Sequence, residues 1–307
     1  VVNVLQIGAI TQKQEGRELA DIQGMYEAGI CGISEDGRSV MNSRLLKEAM
    51  QIAKKLQLPV MSHCEDETLA GGAMNEGKRS KELGLKGIPN EAEDIITARD
   101  IQLADLVDTH LHLCHVSTKN SVDLIRTARI KGMKISAEVC PHHFVLTDEM
   151  VDGINTNTKM NPPLRSKEDL DAIIKALKED VINVIATDHA PHHQDEKNQT
   201  YEKAPNGIIG LETLIPLGIT ELVNKGWLTP MQFIEKITIN PAKILNIDKG
   251  RLTIGSVADI AIINPNETYI INEEDIASKS KNTPFLGKKV HGRVKYTIVN
   301  GKIVYKD

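Results

Sequence analysis

The chain has 307 residues, 40% of them hydrophobic and 26% charged, with a formal net charge of -5. This is the composition of a globular protein of one large or two smaller domains, with enough apolar side chains for a real core. The acidic balance offers nothing to nucleic acid or an anionic membrane surface, and no apolar run approaches the roughly 20 residues that span a bilayer. Four cysteines, Cys31, Cys64, Cys114 and Cys140, stand singly with no CxxC pair. They suit reduced thiols in a cytoplasmic protein rather than a disulfide framework.

The chain opens with Val1-Val-Asn-Val-Leu-Gln-Ile7, a strand-like run with no methionine and no basic leader, so it reads as cut rather than begun. From Val4 to Asp188, short β-branched runs alternate with longer helical ones, the pattern of βα units around a parallel sheet. Strands are expected at about Val4–Ile10, Gly29–Ser34, Pro59–His63, Thr109–His115, Lys134–Val139 and Ile182–Thr187. Helices are expected at Arg17–Ala28, Ser43–Gln57, Glu91–Leu106, Ser117–Lys131 and Ser166–Glu179. Ser43 is positioned to cap a helix with Leu45, Leu46, Ala49 and Ile52 on one face, and Ser117, Ser121 and Ser166 sit similarly. Two long non-periodic segments, Pro141–Arg165 and Pro191–Gly207, are long enough to be functional or mobile.

Beyond Gly207, helices are expected over about Leu211–Lys225 and Thr229–Ile237, and then the period changes. Ser256–Ile263 and Val290–Tyr305 alternate as strands, and Asn300-Gly301 favours a type I′ hairpin. The expected division is a barrel part, residues 1–246, and a small β-unit, residues 247–307.

Chemistry gathers at the strand ends. The apolar run Val181–Thr187 stops at Asp188, followed by His189, His192 and His193. In an α/β barrel the C-terminal ends of the strands form the active face. Asp36, His63 and His115 stand at three other strand ends. Imidazoles and carboxylates together suit zinc in a hydrolytic site, where an open position holds water. Side-chain alternation groups Leu111, Leu113 and His115 against His110, His112 and Cys114. With the leucines assigned to the barrel core, His115 is the better ligand, and His110 and His112 pack toward the outer helices unless a bulge reverses the faces.

Seven stretches in this order resemble the dihydroorotases of the long bacterial type, within the amidohydrolase superfamily. They are Ser34-Glu-Asp-Gly37, His63-Cys-Glu-Asp66, Cys114-His-Val-Ser-Thr118, Ala137-Glu-Val-Cys-Pro-His-His143, Lys159-Met-Asn-Pro-Pro-Leu-Arg165, Thr187-Asp-His-Ala-Pro-His192 and Gly207-Ile-Ile-Gly-Leu-Glu-Thr213. The resemblance implies a zinc-dependent cyclic amidohydrolase interconverting dihydroorotate and N-carbamoyl-L-aspartate in pyrimidine biosynthesis. It implies Asp36 as the bridging carboxylate of a binuclear zinc site, His63 and His115 as ligands of one zinc, and Asp188 as ligand of the other and proton carrier. Asn161, His192 and Gly207 match substrate-binding positions. A homodimer is compatible with this class.

The family's HxHxR motif and a substrate-binding asparagine of the next unit are absent from this chain, and Asn206 stands where phenylalanine is common. The expectation is therefore a (β/α)8 TIM-type barrel missing its first two βα units, with one zinc half-site incomplete and activity of the chain itself in question. The rivals are an inactive scaffold homologue and a hydantoinase or allantoinase; the latter usually bridge their metals with a carboxylated lysine rather than an aspartate.

Overall fold

The structure is a computed structural model and describes residues 2–307. Its centre is a parallel sheet of β1 (Gly8–Ala9), β2 (Ile33–Ser34), β3 (Val60–Ser62), β6 (Leu111–Leu113), β7 (Ile135–Val139) and β8 (Val184–Ile185), in that spatial order. A two-stranded insert, β4 (Met74–Asn75) with β5 (Gly87–Ile88), precedes β6. Among the described residues β1 and β8 each pair on one side only, so this barrel-type sheet does not close. The predicted first strand is regular only over Gly8–Ala9, and Val4, Leu5 and Ile7 are exposed. Val1 lies outside the described residues.

Helices α1 (Ile22–Glu27), α2 (Ser43–Leu56), α3 (Lys78–Leu83), α4 (Glu91–Val107), α5 (Lys119–Ile130), α6 (Pro141–Val145) and α7 (Lys167–Lys178) join these strands. In α2 Leu45, Leu46 and Ala49 of the predicted stripe are buried and Ile52 partly so, while Met50 and Ala53 complete the buried face. Its cap is Asn42 rather than Ser43, because the Asn42 side chain accepts from the amides of Arg44 and Leu45. Thr118 similarly replaces Ser117 as the cap of α5, while Ser121 donates to Asp94. Ser166 caps α7 as expected.

The register decides which way the strands face. Ser62 donates to Asp100 on α4, so its side of the sheet faces the helices. Leu113 is level with Ser62 and Leu111 with Val60, and both leucines are fully buried in the helix layer. Met61, His112 and Ser136 are level with one another on the opposite, concave face. The expectation for this strand is therefore reversed: His110 and His112 point inward, where both meet the Ser136 hydroxyl. The leucines prefer the helix layer because that is where this sheet buries most apolar surface.

Beyond β8 the predicted helix Leu211–Lys225 is shorter and changes pitch, from α over Leu214–Gly218 to π over Ile219–Val223. Pro216 removes one amide donor here. Thr229 caps Pro230–Ile237 in a capping box. The tail forms an antiparallel sheet, β9 (Ile260–Ile270), β10 (Lys289–Val299) and β11 (Lys302–Lys306), in the order β11-β10-β9. β9 runs later than expected and contains Pro265, tolerated because β9 is an edge strand. Asn300 and Gly301 both have positive φ, as a type I′ turn requires. Ile271, Phe285 and Val290 from this region share a core with Met160, Leu164, Tyr201 and Leu217. No described helix is long and apolar enough to cross a membrane.

One buried ion pair fastens the loops at the C-terminal end of the sheet. The Arg165 guanidinium lies 3.6 Å from Glu93, and both side chains are almost wholly enclosed. Arg165 also donates to Ser117 Oγ at 3.0 Å, Asn75 Oδ1 at 3.0 Å and the Ile88 carbonyl at 3.2 Å. Glu93 accepts the amides of Ser117 and Thr118. Removing one partner strands the other charge in the interior, so Arg165→Met should cost about 3–5 kcal/mol of unfolding free energy in urea titrations. A loss under about 1 kcal/mol would mean that the neighbouring polar groups satisfy Glu93 without it.

Candidate metal and substrate site

His63 leaves β3 and His115 leaves β6, and both rings are buried. His63 Nδ1 and His115 Nε2 face each other at 3.0 Å, and the rings meet edge to face. Asp36, just after β2, brings Oδ1 to 3.8 Å from His115 Nε2 while keeping most of its side chain in solvent. Ligand atoms of these three residues all lie within 4.8 Å of one another. Two imidazole nitrogens and a carboxylate directed at one point, with an open side, are the donor set of a divalent metal. The residues fit such an ion.

Asp188 faces the same cleft. A hollow of about 190 Å³ is lined by Asp36, His63, His115, Asn161, Asp188 and Gly207, together with Gly37, Ala190 and Asn206. Six of the seven residues singled out in the sequence thus line one cleft. His192 stands at the rim, where its Nε2 donates to the Asn206 carbonyl at 2.8 Å. The Gly207 amide donates to the Lys159 carbonyl at 3.0 Å.

Strand alternation alone does not direct these side chains. His115 has φ +33° and Asp188 φ +49°, left-handed conformations that L residues rarely hold. Each turns the backbone at a strand end, and this is how His115 escapes the helix-facing side it would share with Leu113. Backbone strain of this kind persists only where the surroundings over-determine it. For His115 they do: Glu93 accepts the amides of Ser117 and Thr118, and the Val116 amide donates to the main-chain carbonyl of Glu138.

The charges are tightly linked. Burial alone would lower the His115 pKa, but contact with Asp36 and the fields of Asp188 and Asp36 outweigh it and bring it up to about 9. The His115 contact holds the Asp36 carboxyl below its usual range. Burial raises the Asp188 carboxyl. Deeper in the concave face, His112 Nε2 meets Glu138 at 3.0 Å.

Several contributing residues carried no signal in the sequence. Asn282, from the segment between β9 and β10, donates to the carbonyls of Ala190 at 2.9 Å and Gly207 at 3.1 Å, and its Oδ1 accepts from the His192 amide. Lys197 is buried with its ammonium on the carbonyls of Pro205 and Gly207. Burial lowers its pKa to about 8. Asn282 acts on main-chain groups 75 and 92 residues away, and Lys197 also reaches the Lys159 carbonyl 38 residues away, contacts that no local pattern announces.

The amidohydrolase family profile matches residues 3–304. The dihydroorotase of Acetivibrio thermocellus is 50% identical over 307 residues, covering 100% of this chain and 72% of that protein. The chain belongs to the amidohydrolase family, among the dihydroorotases. The dihydroorotase of Geobacter metallireducens is 51% identical over 306 residues, covering 99% of the chain and 72% of that protein. Among solved structures, the L-hydantoinase (dihydropyrimidinase) of Arthrobacter aurescens superposes with a TM-score of 0.86 at 26% identity, covering 98% of this chain and 70% of the other. A dihydropyrimidinase from Brevibacillus agri gives 0.80 at 27% identity, covering 94% and 68%. The amidohydrolase fold and the metal-capable cluster at its strand ends thus occur together in this chain.

The raised His115 pKa has a defined consequence. Its proton stabilises the metal-free fold fully below the ordinary histidine pKa of about 6.5, and that stabilisation is lost as pH rises through about 9. Metal must displace the same proton, so affinity should climb about tenfold per pH unit across this window. Calorimetric melts of metal-free protein should show the midpoint falling from pH 6.5 to 9, with added zinc restoring most at the alkaline end. A flat profile would contradict the His115 assignment.

Proposed function

We propose that the protein interconverts dihydroorotate and N-carbamoyl-L-aspartate through zinc held at Asp36, His63 and His115. The observation that carries this reading is the convergence of two buried imidazoles and a carboxylate on one point, with Asp188 and Asn161 on the walls of the same cleft. The dihydroorotase relatives at about half identity favour this substrate over hydantoin or allantoin. In this reading residues 1–246 carry the chemistry and residues 247–307 form the accessory β-unit, with Asn282 bracing the substrate loops from the tail side.

Zinc at this site supplies a Lewis acid for the ring carbonyl and acidifies a water. Asp36, His63 and His115 would hold this zinc, and the family resemblance would make Asp36 and Asp188 ligands toward a second one, for which the expected histidines are not among the residues of this chain. Asp188 moves the proton: it takes one from the attacking water and returns it to the ring nitrogen as the carbon–nitrogen bond breaks. Its carboxyl, raised by burial, is better matched to giving that proton back than an ordinary aspartate. Asn161 and His192 orient the ring and its carboxylate. In the free protein one Nδ2 hydrogen of Asn161 is bonded to Glu65 and His192 Nε2 to the Asn206 carbonyl. A substrate would replace the His192 bond, while the second Nδ2 hydrogen of Asn161 stays available beside its bond to Glu65.

Asp188→Asn should lower kcat by about 10²–10⁴ because the proton carrier is lost. His192→Ala should act mainly on KM. At equal enzyme concentration, dihydroorotate should be turned over in preference to hydantoin and allantoin. Preference for either of the latter would overturn the substrate assignment and leave the metal site standing. Metal analysis should find about one zinc per chain, since Asp36, His63 and His115 form the one group matching the expected ligands. A second equivalent would point to the neighbouring group Cys140, His142 and Asp188.

A further inference from the structure

We infer that Glu65 is a positioning residue that couples the metal ligand His63 to the substrate-binding residue Asn161. One oxygen makes both contacts. Glu65 Oε2 lies 3.4 Å from His63 Nε2 and accepts from Asn161 Nδ2 at 3.1 Å. The carboxylate is largely enclosed, with 15% of its side chain exposed.

The geometry selects a tautomer. His63 Nδ1 is the nitrogen directed at His115 and the shared point of the cleft, so a metal there needs its lone pair. The proton must then reside on Nε2, and Glu65 is the acceptor beside that nitrogen. A carboxylate on the outer nitrogen of a ligating histidine fixes the ring and increases its donor strength. The backbone holds this arrangement: Ser39 Oγ donates to the His63 carbonyl at 2.6 Å and accepts from the Glu65 amide at 3.0 Å. Through the same oxygen, Asn161 is held over the cleft from the other side. Glu65 touches neither the metal point nor the substrate cleft, so its effect on both is indirect.

This assignment rests on Asp36, His63 and His115 holding a metal, and the test separates the two. The purified protein, Glu65→Gln and Glu65→Ala are titrated with Co²⁺ and followed by visible absorbance, with melts as folding controls. The tautomer of His63 is read in the metal-free proteins from its ring ¹⁵N shifts. Glu65→Ala should weaken Co²⁺ binding by about 10–100-fold and release His63 into a mixture of tautomers. Glu65→Gln should recover most of the affinity, because an amide oxygen at the Oε2 position still accepts from both partners. A merely structural role would not move the tautomer. Co²⁺ binding and His63 tautomer both unchanged in Glu65→Ala would overturn the role of Glu65 alone. No Co²⁺ binding by the unsubstituted protein would overturn the metal reading and this inference with it.

Discussion

The structure at the chemical end of this protein depends on the need to satisfy one buried carboxylate. Glu93, on α4, is enclosed where an unpaired charge would be intolerable. It recruits the Arg165 guanidinium and the amides of Ser117 and Thr118, and Arg165 extends the network to Asn75 and the carbonyl of Ile88. The segments tied together are the loop that carries His115, the β4/β5 insert and the loop that carries Asn161. His115 and Asn161 thus derive their relative positions from a contact neither of them makes.

Left-handed backbone at two strand ends is the second constraint. His115 and Asp188 each hold a positive φ that costs an L residue roughly 1–2 kcal/mol, and each points into the cleft as a result. A regular continuation of β6 would have sent His115 toward the helices with Leu113. The distortion is small and local, yet it decides whether the buried imidazoles of His63 and His115 meet.

Acidity inside the cleft is distributed rather than uniform. Asp36, mostly in solvent and next to His115, stays ionised, whereas Asp188, enclosed among other charges, holds its proton more readily. Two carboxylates in one cleft are thus pushed in opposite directions by their surroundings. Around them the cleft wall is supported by groups that touch only backbone: Asn282 and Lys197 both end on the Gly207 carbonyl.

The sequence by itself determined the βα alternation, the parallel sheet and the strand-end positions of Asp36, His63, His115 and Asp188. Periodicity and the order of short motifs are local properties, written into consecutive residues. The caps slipped by one residue, from Ser43 to Asn42 and from Ser117 to Thr118, because adjacent hydroxyl and amide side chains compete for the same amides and neighbouring elements choose between them. The faces of β6 went the other way because alternation defines two sides without saying which one the helices cover; only the register with Ser62 and its bond to Asp100 decides that. Arg165, Asn282 and the Asn161 contact of Glu65 depend on partners far along the chain, Arg165 across 90 residues to Asn75, Asn282 across 75 to Gly207 and Glu65 across 96 to Asn161. Such contacts exist only once the chain has folded, since a hydrogen bond is decided by distance in space and not by separation in sequence.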